Sequence, residues 1–558
     1  MLKHEEEIEK QRIREAYREA VTDTTTDSGI PVKEVYTPED MSGIDYEEDI
    51  GLPGQYPFTR GYHPRMYRGR LWAIRLVSGT GTPGSHNKRC KYLVSQGANA
   101  LDWQIDGTSN YGIEPDQPFA EGHLGKYGVP VHTLRDVEIL SDGLPLDEIS
   151  IAIEAFFPAI MQAYILVAKK RGYDIRNLRV VGGAPQYHVA PFYQSCPEVL
   201  YVNGRFSTLA RWGNDFIEYV LKNFPRWNVW FADSDGWVGA GANAVLEGAL
   251  LIACTKELIR EMLRRGVDIN TIGKRISPNL SAGRDFFQDI AKLRALRRTW
   301  ARMMKEEFGA TDPAAMSLRF MATGSGSYFE RQQPLVNIVR GTMTSLIGVL
   351  GGCTALQTPS YDEAWCTPTE ETVRLALRTQ QVLRYESGVA RVADPLAGSY
   401  YLECLTDNLE EEILSVADKI EQMGGWIAAL EKGWIQTELT KGAVERQKKV
   451  ETGERVCVGV NRFTIPPEED FQPRIYTPEP EIGPYIAQYE EFKKNRDYTT
   501  VKETLENLRR AAEKADVSLV PYAFEAIEAH ATFGKIIGVL RIVDGLEYDL
   551  TGEREYPF

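Results

Sequence analysis

Between Tyr56 and Tyr401, short apolar runs alternate with longer stretches in which apolar residues recur every three or four positions. The runs Leu178–Ala184 (LRVVGGA), Asn228–Ala232 (NVWFA) and Ser317–Thr323 (SLRFMAT) are brief and mostly apolar, which predicts buried strands. The spacing predicts helices over Ile151–Arg171, Ala244–Arg265, Arg284–Phe308 and Leu335–Leu350. Strand–helix alternation over this span predicts an α/β fold with parallel strands. A closed (β/α)8 TIM barrel fits its length, and an open doubly wound sheet is the alternative. After Thr406 the pattern turns mostly helical, with a proline-rich passage at Pro466–Pro484 and helical patterns over Thr500–Asp516 and Ala523–Val543. Residues 5–21 read as a charged, weakly amphipathic helix, followed by TDTTTDSG. The expected organisation is an N-terminal arm (1–50) suited to a subunit contact, a barrel (51–401) and a helical C-terminal region (402–558).

Composition narrows the chemistry. With 43% hydrophobic residues among 558, the chain can bury a substantial core. Its longest apolar runs, such as Ala249–Cys254 and Ser345–Gly351, are too short to cross a bilayer, so no membrane partner is expected. The N-terminus (MLKHEEEIEKQRIREAYREA) lacks the apolar core of a signal peptide. The seven cysteines are odd in number and form no CxxC pair, which argues against a disulfide framework or zinc site and for a reducing cytoplasm. No HxxxH or HExxH spacing occurs among the seven histidines, so no protein-bound metal is expected. A GxSxG elbow and a GxxxxGK[ST] loop are both missing. Gly239-Ala-Gly241-Ala-Asn243 lacks the third glycine of a dinucleotide loop and reads as a capped βα turn.

The net charge of −15 argues against nucleic acid as a partner. Against that background Tyr56–Thr82 concentrates Arg60, Arg65, Arg68, Arg70 and Arg75 among aromatic, glycine and proline residues. Composition alone leaves two readings: a phosphate-binding cluster, or a solvated turn balancing Glu47, Glu48 and Asp49. A large α/β barrel with an arginine-rich opening and no evident nucleophile, metal or redox residue points to a cofactor for the difficult step.

The order of residues favours the first reading. YPFTRG…MYRGRLWAIR, NKRCKYLVSQGANALD and GIEPDQP (112–118) resemble the opening of the coenzyme B12-dependent acyl-CoA mutases, the methylmalonyl-CoA mutase family. The resemblance returns at Phe286–Phe308, Asn337–Gly352, Tyr361–Ala364 (YDEA) and Leu377–Tyr401, in the family's order along nearly the whole chain. It implies a barrel threaded along its axis by the pantetheine arm of CoA. It also implies homolysis of a Co–C bond, hydrogen abstraction by the adenosyl radical, and migration of the CoA-thioester group. Carried over by position, Arg70 falls at a CoA phosphate, with His63, Arg65 and Met66 along the CoA path and Arg275 and Ser277 as a second contacting pair. His63 and Arg65 stand where the family usually has tyrosine and threonine. Glu363 corresponds to an acidic residue facing the adenosyl ribose, and Arg211 to the arginine that holds the free carboxylate of methylmalonyl- or succinyl-CoA.

The resemblance also marks departures. No DxHxxG cobalamin motif occurs, so a separate small subunit is expected to carry adenosylcobalamin, in a heterotetramer. Val77 replaces a tyrosine that becomes phenylalanine or isoleucine in mutases for isobutyryl- and 2-hydroxyisobutyryl-CoA, and Gln104 falls at a second specificity position. Asp235 and Gly236 stand near the family's lost Tyr-His pair, which leaves Gln104, Gln186 or Trp237 as replacement hydrogen-bond donors. Met321 and Thr323 replace a histidine and a glutamine near the cofactor. The expected reaction is interconversion of a bulky aryl- or alkyl-succinyl-CoA with the corresponding malonyl-CoA, Val77 making room and Arg211 holding the carboxylate. The alternatives are a branched monocarboxyl-CoA mutase and a catalytically silent acyl-CoA-binding subunit.

Overall fold

The computed structural model describes residues 24–77, 79–183, 201–202, 205–229 and 232–556. The expected helix at 5–21 and Gln186 lie outside them, as does the side chain of Val77. Seven parallel strands form one sheet: β1 (Ala73–Val77), β2 (Ala100–Gln104), β3 (Ser150–Glu154), β4 (Arg179–Val181), β5 (Asn279–Ala282), β6 (Met321–Gly324) and β7 (Ala355–Gln357). β1 pairs with both β2 and β7, and the edges are β4 and β5. Residues either side of 230–231 join those edges. Val181 bridges Asn228 and Asp233 bridges Asn279. The Gly182 N–H donates to the Asn228 carbonyl at 3.0 Å, and the Asn279 N–H to that of Ala232 at 2.8 Å. This eighth position closes the sheet into the expected (β/α)8 barrel.

Each strand position is followed by helix: α1 (Pro83–Ser95), α2 (Leu134–Leu140), α3 (Ala159–Lys170), α4 (Thr208–Asn223), α5 (Ser234–Ala240) with α6 (Ala244–Arg264), α7 (Phe286–Arg302), α8 (Asn337–Leu350) and α9 (Glu370–Tyr385). Local signals set their starts. Thr82 and Thr133 form capping boxes with Ser85 and Asp136, and the Asn243 side chain accepts from the Leu246 N–H. One expectation fails: Ile151–Arg171 is not one helix. Its first residues, Ile151–Glu154 (IAIE), continue a strict alternation that begins at Ile149 and belong to β3, and Pro158 ends the intervening loop where α3 begins.

Pleat alternation divides the strand residues into two populations. Ile74, Leu76, Leu101, Trp103, Ile151, Ile153, Val180, Leu280, Ala322 and Leu356 belong to the main apolar core between sheet and helices. The alternate positions, Ala73, Arg75, Ala100, Asp102, Ser150, Ala152, Arg179, Val181, Asn279, Thr323, Ala355 and Gln357, are small or polar and lie in register across neighbouring strands. Barrels of this type ordinarily fill their interior with bulky branched side chains. Here the apolar interior is reduced to a collar of Ala152, Val181 and Met321 with Ala355 packed against it.

The C-terminal helices form an outer layer. α10 (Tyr400–Gln422) packs on α6 and α7, and the helices at 498–543 cover α3 and α4. The expected tail helix Ala523–Val543 is two helices, Val520–Glu528 and Phe533–Val543, parted at His530, which adopts φ 66°. No described helix is long and apolar enough to cross a membrane.

A buried ionic network fixes β5 to this shell. The Lys292 ammonium, 1% exposed, donates to Glu247 (2.7 Å), Asp289 (2.9 Å) and the Ser281 carbonyl (2.7 Å). Glu247 also accepts from the Ser281 N–H (2.9 Å) and the Ser234 hydroxyl (2.5 Å). Removing the cation strands two buried carboxylates, so Lys292→Met is expected to cost about 3–5 kcal/mol, read as a lowered thermal midpoint. Lys292→Met combined with Glu247→Leu should recover part of that loss.

Candidate active site

The segment before β1 is pinned across the N-terminal end of the barrel. The fully buried Arg297 of α7 donates to the carbonyls of Phe58 (3.1 Å), Thr59 (2.7 Å) and Gly351. The Tyr67 hydroxyl donates to the carbonyls of Val349 (3.1 Å) and Cys353 (2.9 Å). Met66 is buried at φ 37°, and its sulfur packs so closely on Gly61 that a Cβ there would lie 2.5 Å away.

This segment forms one wall of a cavity of about 850 Å3 at the N-terminal ends of the strands. His63, Arg65, Met66, Arg70, Arg275 and Ser277, the positions singled out for CoA, all line it. The cavity also gathers Arg75 of the opening cluster, and Arg179, Arg226 and Arg319, which no local cluster in the sequence announces. Glu148 is the one carboxylate in its lining; Arg75 faces Asp102, and the other six arginines have no ion pair among the described residues. Burial, and then the neighbouring Arg319, push the Arg275 guanidinium below its ordinary pKa. The cavity is thus a largely uncompensated cationic well suited to several phosphate charges.

A second cavity, of about 460 Å3, lies at the opposite end, lined mostly by residues at or beyond the strands' C-terminal ends. Gln104, Asp235, Thr323 and Glu363 meet here, with Tyr127, Gln357 and Trp365. Gly79 lets the backbone pass against Gln104, whose side chain a Cβ there would overlap. Glu154 and Asp233 also line this cavity, and Asp102 hydrogen-bonds to Glu154. The sequence does not announce these carboxyls as a group: Glu154 falls in a stretch whose spacing predicts a helix, and the three meet only across neighbouring strands. Among the described residues, no lysine, arginine or histidine lines the cavity. Residues 184–200 hold one histidine, His188, and neither lysine nor arginine.

Crowding governs protonation here. Burial and the Asp102 charge raise Glu154 well above the ordinary carboxylate range, so it holds the proton shared with Asp102, whose charge faces Arg75. Burial and Asp233 push Asp235 up to about 7. Glu363 stands at the rim, reached by solvent, yet burial and Asp235 push it to about 7 as well.

Three expected residues lie elsewhere. Arg211 is on α4, and its guanidinium donates to the carbonyls of Ala512 (2.7 Å) and Lys514 (3.0 Å), tying the C-terminal helices to the barrel's outside. It lines neither cavity. Met321, the first residue of β6, sits in the collar and faces the arginine-rich cavity, one pleat repeat below Thr323. Trp237 is fully buried against Trp426 and is not available to the cavity as a donor.

A family model for methylmalonyl-CoA mutase matches residues 25–546. The chain belongs to the methylmalonyl-CoA mutase family. It is 35% identical to the 2-hydroxyisobutanoyl-CoA mutase large subunit of Aquincola tertiaricarbonis, over 92% of this chain and 91% of that one. It is 33% identical to the methylmalonyl-CoA mutase of Rhizobium meliloti, over 92% of this chain and 72% of the relative. Against the human mitochondrial methylmalonyl-CoA mutase the identity is 31%, over 93% and 68%. Membership in this family makes the chain an acyl-CoA mutase, an isomerase.

If the cationic well holds CoA, Arg275→Ala and Arg319→Ala should each weaken CoA binding by about 10- to 100-fold in calorimetry, the worth of a charged hydrogen bond. Arg211→Ala should leave that affinity unchanged while lowering the thermal midpoint.

Proposed function

We propose that this chain is the acyl-CoA-binding large subunit of an adenosylcobalamin-dependent mutase whose substrate is a branched or bulky acyl-CoA without a free carboxylate on its acyl group. The observation that carries the reading is the charge of the two cavities. Seven arginines at one end suit the phosphates of CoA, while the acyl end offers carboxyls and, among the described residues, no cation. A substituted succinyl-CoA needs a partner for its second carboxylate, and Arg211, the residue expected to supply one, lies on the outside of the barrel.

In this reading the arginines and Ser277 hold the nucleotide end, and the small residues Ala73, Ser150, Ala152 and Ala355 leave the axis open for the pantetheine arm. Gln104, Thr323, Asn279 and the carboxyls enclose the acyl group and keep water from it. The C-terminal mouth also fits the cofactor. Glu363, recessed yet reached by solvent, can donate to and accept from a ribose diol. When bound, adenosylcobalamin supplies the radical that starts the carbon-skeleton rearrangement. We assign its corrin to a separate small subunit bearing DxHxxG, consistent with the name of the Aquincola relative, and the assembly to a heterotetramer.

The test is reconstitution with a cobalamin-binding small subunit and assay over isobutyryl-, pivaloyl-, 2-hydroxyisobutyryl- and benzylsuccinyl-CoA. Turnover confined to monocarboxyl esters is expected. Preferential turnover of benzylsuccinyl-CoA would overturn the substrate class, and no turnover of any ester would leave a silent binding subunit.

A further inference from the structure

Among the described residues no histidine lines the acyl cavity, so a thioester carbonyl seated there would take its hydrogen bond from another side chain. From the arrangement of the C-terminal cavity we infer that Asp235, in its protonated form, is the hydrogen-bond donor to the thioester carbonyl, so that grip on the acyl group is lost with rising pH. The inference rests on the acyl-CoA reading of the proposed function.

Position comes first. Asp235 is the second residue of α5, directly after the segment that closes the barrel, and its side chain lines the acyl cavity. One oxygen accepts from the Ser281 hydroxyl at 3.3 Å, and the carboxyl also hydrogen-bonds with Ser325. These contacts aim the carboxyl from β5 and from the turn after β6.

Charge decides the protonation state. Asp233 lies two residues before Asp235 and accepts from the Asn279 amide at 2.8 Å. Glu247 of α6 faces Asp235 from behind, its charge balanced by Lys292 of α7 together with Asp289. Glu363 approaches from the loop after β7, and Glu154 and Asp102 stand across the cavity on β3 and β2. The remaining nearby cations point elsewhere: Arg75 of β1 serves Asp102, and Arg446 of the helix Trp434–Glu451 donates to the carbonyls of Val238 and Gly239. So many carboxyls around one small cavity cannot all ionise. Asp235 retains its proton up to about pH 7, and a protonated carboxyl is a donor. The Gln104 amide in the cavity does not titrate, whereas Glu363 and Glu154 can also carry a proton, so the assignment is separated from theirs by substituting Asp235 itself.

The probes are isobutyryl-CoA and its thioether analogue S-isobutyl-CoA, which lacks only the carbonyl. Calorimetry on the full chain at pH 6 and pH 8.5 gives the thioester's advantage over the thioether. In the wild type that advantage should be about tenfold at pH 6, the worth of one hydrogen bond, and should vanish by pH 8.5. Asp235→Asn, which keeps a donor but cannot ionise, should hold the advantage at both values, and Asp235→Ala should lose it at both. A wild-type advantage that does not change with pH overturns the assignment to Asp235, and so does an Asp235→Asn variant that titrates like the wild type. This holds even if Asp235→Ala fails to fold. Failure of CoA itself to bind at either pH overturns the acyl-CoA reading on which the inference stands.

Discussion

The structure depends on a barrel whose strands put their bulk outside. Isoleucine, leucine, valine and tryptophan face the helices, while alanine, serine and polar residues face the axis. An interior filled with branched side chains would stabilise the barrel through dense packing but would leave no path between its ends. This chain gives up that packing and is held from the shell instead. Arg294 pairs with Asp394 and with Glu403 at 2.6 Å, Arg298 pairs with Glu410 at 2.5 Å, and Lys292 pairs with Glu247 and Asp289. The buried arginines and lysine of α7 belong to this scaffold rather than to the chemistry.

The same shell positions both ends. Arg297 holds the opening segment across one mouth, so His63, Arg65 and Arg70 face arginines delivered by the starts of β4, β5 and β6. At the other mouth, Glu247 orders Ser281 and Ser234, and through them the turn that carries Asp235.

Much of this architecture is legible in the amino-acid sequence. Strand–helix alternation indicates the barrel, and the residue order of the opening segment and of Lys274–Ser277 picks out six positions that converge on one cavity. The failures have physical causes. Arg179, Arg226 and Arg319 are isolated in sequence and meet only because every strand starts at the same end of a barrel. Glu154 is hidden because an apolar strand running into a helix through Pro158 looks like one long helix when only apolar spacing is counted. Arg211 is misplaced because the expectation follows residue order through a poorly matching stretch. In α4 that position points away from the sheet, toward carbonyl groups at the end of the helix Tyr498–Ala512. Met321 and Thr323, two residues apart, belong to different cavities because the collar runs between them.

The collar has a further consequence. It lies between a cavity rich in guanidinium groups and one rich in carboxyls, so the barrel axis carries an electrical gradient. A molecule with phosphates at one end and an uncharged thioester at the other finds only one direction of insertion favourable. Inserted the other way round, it would set phosphate against carboxylate in a low-dielectric bore. In the proposed reading the barrel is a keyed socket, in which the charges choose the direction of insertion before any close contact with the acyl group is made.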